Sequence, residues 1–156
     1  MKNIIRLLIT ILICEGAGII GSIFTTSSIN TWYTGIIKPS FNPPNWIFGP
    51  VWTILFLMMG ISLYLIWLKK LSGSNVKGVI TIFGFQLALN ILWSVLFFGL
   101  HLPLWALIDL ALLWLVILLT IIKFYPLSRW AAWLMIPYIL WVSFAGILNF
   151  FIVRLN

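Results

Sequence analysis

The chain has 156 residues, of which 63% are hydrophobic and only 7% charged, with a mean hydropathy of +1.20. A soluble domain carries about 25% charged residues, so a water-facing globule is excluded and one compact membrane bundle is expected. The net charge of +7 comes from cations scattered at the ends of apolar runs, which excludes a nucleic-acid patch, and the single Cys14 excludes an internal disulfide or a multi-cysteine metal site.

The first apolar run, about Ile4–Phe24, has the ~20 residues that a helix needs to cross the hydrocarbon layer. Lys2 and Arg6 ahead of it, with Gly16-Ala17-Gly18 inside it, have the look of a cleaved leader. Glu15 interrupts that pattern and apolar sequence resumes through Phe24, so a retained span is expected. Glu15 falls near the bilayer midplane. An ionisable residue there is either functional or a neutral carboxyl facing a neighbouring helix; with no cation at its depth, the neutral, structural reading leads. Ala17 with Gly21, and Gly18 with Ser22, have the spacing of close helix approach, within or between protomers.

The connection Thr25–Asn45 is the most informative stretch. It carries Trp32-Tyr33 and Lys38-Pro39-Ser40-Phe41-Asn42-Pro43-Pro44, and runs into Phe48-Gly49-Pro50-Val51-Trp52. Backbone outside a helix cannot face hydrocarbon, so an aromatic-studded loop at the mouth of a bundle is a candidate lid over a cavity. The second span, Trp46–Leu68, has Pro50 in its first turns, where a missing amide costs little.

The third span, Val79–Leu100, places Gln86, Asn90, Trp93 and Phe97 on one helical face. Such a face serves either interhelical hydrogen bonding or a ligand cavity; Gln86 fits the first, and the Asn90–Trp93 pair the second. Gly84 and Ala88 form another close-packing pair. His101, in the turn before Pro103, could ligate a haem iron, but one loop histidine is thin support. The fourth span, Leu104–Phe124, holds Asp109 some ~8 Å below its end, with Trp105 one turn before it. The fifth, Trp130–Val153, should kink at Pro137. It aligns Tyr138, Trp141, Ala145 and Asn149 on one face, with Leu148 beside them.

The short connections after the second, third and fourth spans predict that successive helices are antiparallel neighbours. Of the ten tryptophans, Trp32, Trp46, Trp67, Trp105, Trp130 and Trp133 suit an interfacial belt. Trp52, Trp93, Trp114 and Trp141 lie deeper, where each either packs in the core or lines a site. Lys2, Arg6, Lys69, Lys70, Lys77, Lys123 and Arg129 fall on one side of the membrane, against Lys38 and Arg154 on the other. That asymmetry predicts a cytoplasmic N-terminus, with the long loop and C-terminus external. No internal repeat stands out. No nucleophile elbow, zinc helix, phosphate loop or paired carboxylates appear, so conventional hydrolytic, phosphoryl-transfer or metal chemistry has no visible apparatus.

Trp32-Tyr33, Lys38-Pro39, Pro43-Pro44 and Pro50-Val51-Trp52 come first in an ordered set. Gln86-Leu87-Ala88-Leu89-Asn90 with Trp93, Phe97-Phe98-Gly99, Trp105-Ala106-Leu107 with Asp109, and Pro137-Tyr138 through Trp141, Phe144-Ala145 and Leu148-Asn149 continue it. Across nearly the whole chain this set resembles the TspO/MBR family of tryptophan-rich sensory and translocator proteins.

The resemblance implies an all-α, five-transmembrane-helix bundle of the cell membrane, often a homodimer, with the first loop as lid over a pocket. Trp52, Asn90, Trp93, Trp141, Ala145 and Leu148 would line that pocket, with Trp105 and Asp109 at its edge and Tyr33, Phe48 and Phe144 among its contacts. The implied ligands are porphyrins such as protoporphyrin IX or haem, and isoquinoline carboxamide or benzodiazepine-type molecules. No cofactor is obligatory. Phe150 stands where the family's sterol pattern expects Tyr, which puts sterol binding in doubt. Glu15 matches nothing in that pattern, and the family's dimer-packing glycine pair is not in register here.

The leading expectation is therefore a tetrapyrrole-binding membrane protein acting as sensor, scavenger or carrier. The competing functions are light- or oxygen-dependent porphyrin degradation, and proton-coupled transport using Glu15 and Asp109. Lys38 on the lid would either attract a porphyrin propionate or be a solvated loop cation.

Overall fold

The computed structural model describes residues 1–156, and all of its regular structure is helical. Five helical segments are long and apolar enough to cross a membrane. They are α1 (Lys2–Ser28), α3 (Asn45–Leu71), α4 (Lys77–Ser94) with the π-helical turn Val95–Gly99, α5 (Pro103–Phe124), and the pair α6 (Arg129–Leu134) and α7 (Ile136–Leu155). A short α2 (Trp32–Gly35) lies in the first connection. Apolar side chains on every face leave the backbone as the main polar burden of these segments. Helix formation discharges it: 102 of 122 backbone–backbone hydrogen bonds lie within regular elements.

Local chemistry sets the breaks. Pro103 opens α5, where its missing amide and fixed φ suit the first turn. Ser128 caps α6, its hydroxyl accepting from the Ala131 amide at 3.3 Å. Pro137 does more than kink the last span: regular helix stops at Leu134 and restarts at Ile136, with Met135 between. The ring of Pro137 cannot donate to the carbonyl one turn back, so the ladder is interrupted there.

The helices close into a ring in the order α3, α1, α4, α5, α7, with α6 returning to α3. This corrects the expectation that the second and third spans are principal neighbours, because α1 is wedged between α3 and α4. Small residues make the wedge possible. A Cβ added at Gly60 of α3 would lie 2.6 Å from the Ile11 Cα, and one added at Gly21 of α1 would lie 3.0 Å from Ser94 Oγ. Gly18 and Gly21 of α1, against Phe56 and Ser94, therefore pack within the protomer. Gly84 has open space around it instead, on an exposed face with Ala88.

The seam between α1 and α3 is tight at Ile11 and Gly60 and opens toward the lid. The main core, including Met59, Phe83, Leu113, Ile117 and Tyr138, fills the opposite half of the bundle. A smaller cluster of Tyr33, Phe97, Phe98, Ala106, Leu148 and Ile152 seats the lid. The lid half is where α1, α3 and α4 leave space between them.

Candidate ligand-binding site

Two cavities lie in that half. The larger, about 380 Å³, is bounded by α1 (Glu15, Gly18, Ser22, Thr25), the start of α3 (Phe48, Trp52, Phe56) and α4 (Asn90, Trp93, Ser94). The smaller, about 20 Å³, lies beneath Tyr33 of the lid and reaches Trp141, Ala145 and Leu148 of α7. Phe48, Trp52, Trp93 and Phe98 line both. They form an aromatic partition between the two chambers. Small-molecule sites occupy about 300–1,000 Å³, so the α1 side holds ligand-sized space and the α7 side does not until the partition moves.

The polar groups around these chambers divide into satisfied and unsatisfied sets. Tyr138 is fully buried between two amides: its hydroxyl donates to Gln86 Oε1 and accepts from Asn90 Nδ2, both at 2.9 Å. Gln86 is therefore interhelical glue, while Asn90 combines that role with a place on the cavity wall. Phenylalanine in place of Tyr138 should strand both amides and lower stability by about 1–3 kcal/mol. An unchanged unfolding midpoint would show that they find other partners.

Trp114 is also structural, its Nε1 donating to Ser143 Oγ at 2.8 Å across α5 and α7. Trp93 and Trp141 differ, since both indole Nε1 atoms are buried without a hydrogen-bond partner. A buried indole N–H normally finds an acceptor, so these two donors are the strongest local signal for a ligand carrying oxygens. Trp93 stacks on Phe97 at 5.3 Å, and Trp141 meets Phe48 at 6.2 Å edge-on, so both rings pack on aromatic neighbours.

The remaining candidates are arranged less simply. Trp105 is exposed on the outside of α5 and Asp109 is buried, and neither lines a chamber. Phe144 touches Trp141 and Phe41 of the lid, so it supports the α7 wall from behind. Glu15 and Asp109 do not share a cavity, which leaves the paired proton route without a common chamber.

Two sets of contacts brace the lid internally, and a third ties it to the end of α7. Tyr33 Oη donates to Asn42 Oδ1 at 2.7 Å, and burial pushes its phenol up to about 12, so it stays a donor at physiological pH. Lys38 is part-buried and lines neither chamber; its Nζ donates to the Tyr33 and Ile36 carbonyls at 2.6 and 2.9 Å and lies over the Tyr33 ring, so it braces the lid rather than standing free as a loop cation. Asn156, beyond α7, accepts from the Ile37 amide at 3.0 Å and donates to the Ile37 carbonyl at 2.9 Å.

His101, with φ of 56°, stacks on Trp32 at 4.4 Å. The Ser28 hydroxyl donates to the Phe98 carbonyl at 2.6 Å, so His101 Nε2 is the donor in its 3.2 Å contact with Ser28 Oγ. His101 lines neither chamber; it closes the joint between lid and bundle. Removing the Asn156 amide by substitution with alanine should speed exchange of the Ile37 amide about tenfold, for two lost bonds of ~1 kcal/mol or less each. Unchanged exchange would show that the Asn156 pair is not what holds the lid.

The sequence profile of the TspO/MBR family matches residues 10–155. A tryptophan-rich protein TspO from Archaeoglobus fulgidus is 46% identical over 99% of this chain and 99% of its own. One from Chlorobaculum tepidum is 44% identical over 99% and 98%. The translocator protein of Homo sapiens is 40% identical over 88% of this chain and 82% of its own. The chain belongs to the TspO/MBR family.

Several residues around this TspO/MBR cavity escaped sequence reasoning. Tyr138 was placed on the right face, but its bridging of two amides needs the fold. Glu15, Gly18, Ser22 and Thr25 follow a three-four-three spacing along one face of α1. That period is visible in the sequence, of which the Gly18–Ser22 spacing is one part. Asn156 and the Ser28–His101 contact carry no local signal, because each joins residues far apart in the chain.

Proposed function

We propose that this TspO/MBR protein is a multi-pass membrane protein that binds a tetrapyrrole such as protoporphyrin IX or haem, acting as sensor, scavenger or carrier. The observation that carries this reading is the pair of buried, unpartnered indole N–H groups of Trp93 and Trp141, both on the wall of the smaller chamber. A flat macrocycle stacks on such ring faces, and its carboxylate oxygens accept from such donors. Joining the two chambers would create a slot extending from α1 to Ala145 and Leu148. Isoquinoline carboxamide and benzodiazepine-type molecules, which combine flat aromatic bodies with a carbonyl acceptor, suit the same slot.

The cytoplasmic N-terminus rests on the distribution of Lys and Arg, and puts the lid outside. A homodimer belongs to the same proposal and is supported by the exposed Gly84–Ala88 face. Titration with protoporphyrin IX in the dark, followed by tryptophan fluorescence, tests the ligand reading. Saturable quenching is expected; linear, unsaturable quenching overturns it.

A further inference from the structure

The α1 wall of the larger cavity has a feature that tetrapyrrole binding does not use. Glu15 is half-buried and lines that cavity, yet nothing in the protein offsets its charge. α3 presents Trp52, Thr53 and Phe56 to the cavity and α4 presents Asn90, Trp93 and Ser94, none of them charged. On α1 itself the nearest cation, Arg6, is nine residues away, roughly 13 Å along the axis, and its guanidinium donates to Asn3. Lys38 is held by lid carbonyls.

Facing Glu15 is an aromatic wall in which Trp52 stacks on Phe56 at 5.6 Å. Ser22 and Thr25 continue the α1 face beside the carboxyl. A carboxylate unpaired at membrane depth is costly, and an organic cation removes that cost while its body covers apolar surface. Indole faces attract the same cations, by about 0.5–2 kcal/mol depending on desolvation. A carboxylate, ring faces and about 380 Å³ of room together match a lipophilic amine.

We propose that the cavity between α1, α3 and α4 is a binding site for protonated hydrophobic amines, with Glu15 pairing the ammonium and Trp52 and Trp93 covering the aromatic body. This assignment does not rest on tetrapyrrole binding. A porphyrin carries anionic propionates, which the Glu15 carboxylate repels, so the two ligand classes are told apart by charge at the α1 wall.

The test uses the full chain in zwitterionic lipid nanodiscs, with empty nanodiscs subtracted and imipramine, a tricyclic tertiary amine, as probe. Tryptophan quenching should saturate for wild type. In Glu15→Gln, which keeps the shape and the hydrogen-bonding capacity, affinity should fall about tenfold or more, as expected on removing one partner of a desolvated charge pair. Glu15→Asp should recover most of it. Iminodibenzyl, the same tricycle without the basic dimethylaminopropyl chain, should bind wild type and Glu15→Gln alike.

Equal imipramine affinity in wild type and Glu15→Gln overturns the proposal, and so does unsaturable quenching in wild type. An unchanged thermal unfolding midpoint for Glu15→Gln separates lost binding from lost fold. If the Gln variant melts early, imipramine against iminodibenzyl on wild type decides: tighter binding of imipramine supports the pairing, and equal affinity overturns it. The dark porphyrin titration is run separately, so failure of one assignment leaves the other standing.

Discussion

Replacing Ala145 by phenylalanine is expected to weaken protoporphyrin IX binding by about tenfold to a hundredfold. Ala145 lines the chamber of about 20 Å³ beneath Tyr33, beside Trp141 and Leu148. A benzyl group there exceeds the available space, and it would sit where the partition of Phe48, Trp52 and Trp93 must swing for the chambers to join. Forcing extra carbons into a packed site costs about 1–3 kcal/mol, and each 1.4 kcal/mol is tenfold in affinity. Dark fluorescence titrations of wild type and variant, side by side, read this directly. An unchanged Kd would confine the porphyrin to the α1 side and remove Ala145 and Leu148 from its site.

The second large effect is expected at Gly60. Valine there should cost about 2–3 kcal/mol of stability, at the upper end for overpacking, because the clash is with main chain. A Cβ would meet the Ile11 Cα at 2.6 Å and its amide nitrogen at 3.1 Å, and neither can turn away as a side chain can. α1 and α3 would have to separate along the whole seam. The same change at Gly84, where nothing lies within 4 Å, should alter monomer stability by less than about 0.5 kcal/mol. Equal unfolding midpoints for Gly60→Val and wild type would show that the seam yields.

What was legible beforehand was what depends on local chemistry. Apolar runs of membrane-spanning length gave five helices, and Pro137 gave a break, because both act within a few residues. The Trp32–Trp52 connection read as a lid from its prolines and aromatics. The wedge of α1 between α3 and α4 was not legible: small residues announce close approach but not its partner. Gly60 carried no visible pattern, since its counterpart is the backbone of Ile11 in another span. The π-helical turn at Val95–Gly99 was likewise unreadable. It exists where the third span must both seat Phe97 and Phe98 under the lid and offer the Phe98 carbonyl to Ser28.

Polar residues on the cavity face divided the same way. The period of Asn90 and Trp93 put both on one face, but which polar atoms remain unpartnered depends on Tyr138 arriving from α7 to satisfy Asn90 and not Trp93. Lys38 looked like a free cation because the carbonyls that hold it belong to a loop conformation and not to a motif. Asp109 reads as a site residue because it is a rare acid in a span, whereas the structure buries it outside the linings of both chambers.

The divergence of α1 from α3 sets the medium from which ligands arrive. Ile19, Ser22 and Thr26 on one edge of the larger cavity, and Trp46, Gly49 and Thr53 on the other, are exposed on the outer flank of the bundle. The fastened lid covers the end, so the open side faces acyl chains. Any ligand taken up through that side would come from the pool dissolved in the bilayer, and its occupancy would follow moles of ligand per mole of lipid. Diluting a sample with empty vesicles at fixed aqueous volume would strip the site as effectively as a competitor does.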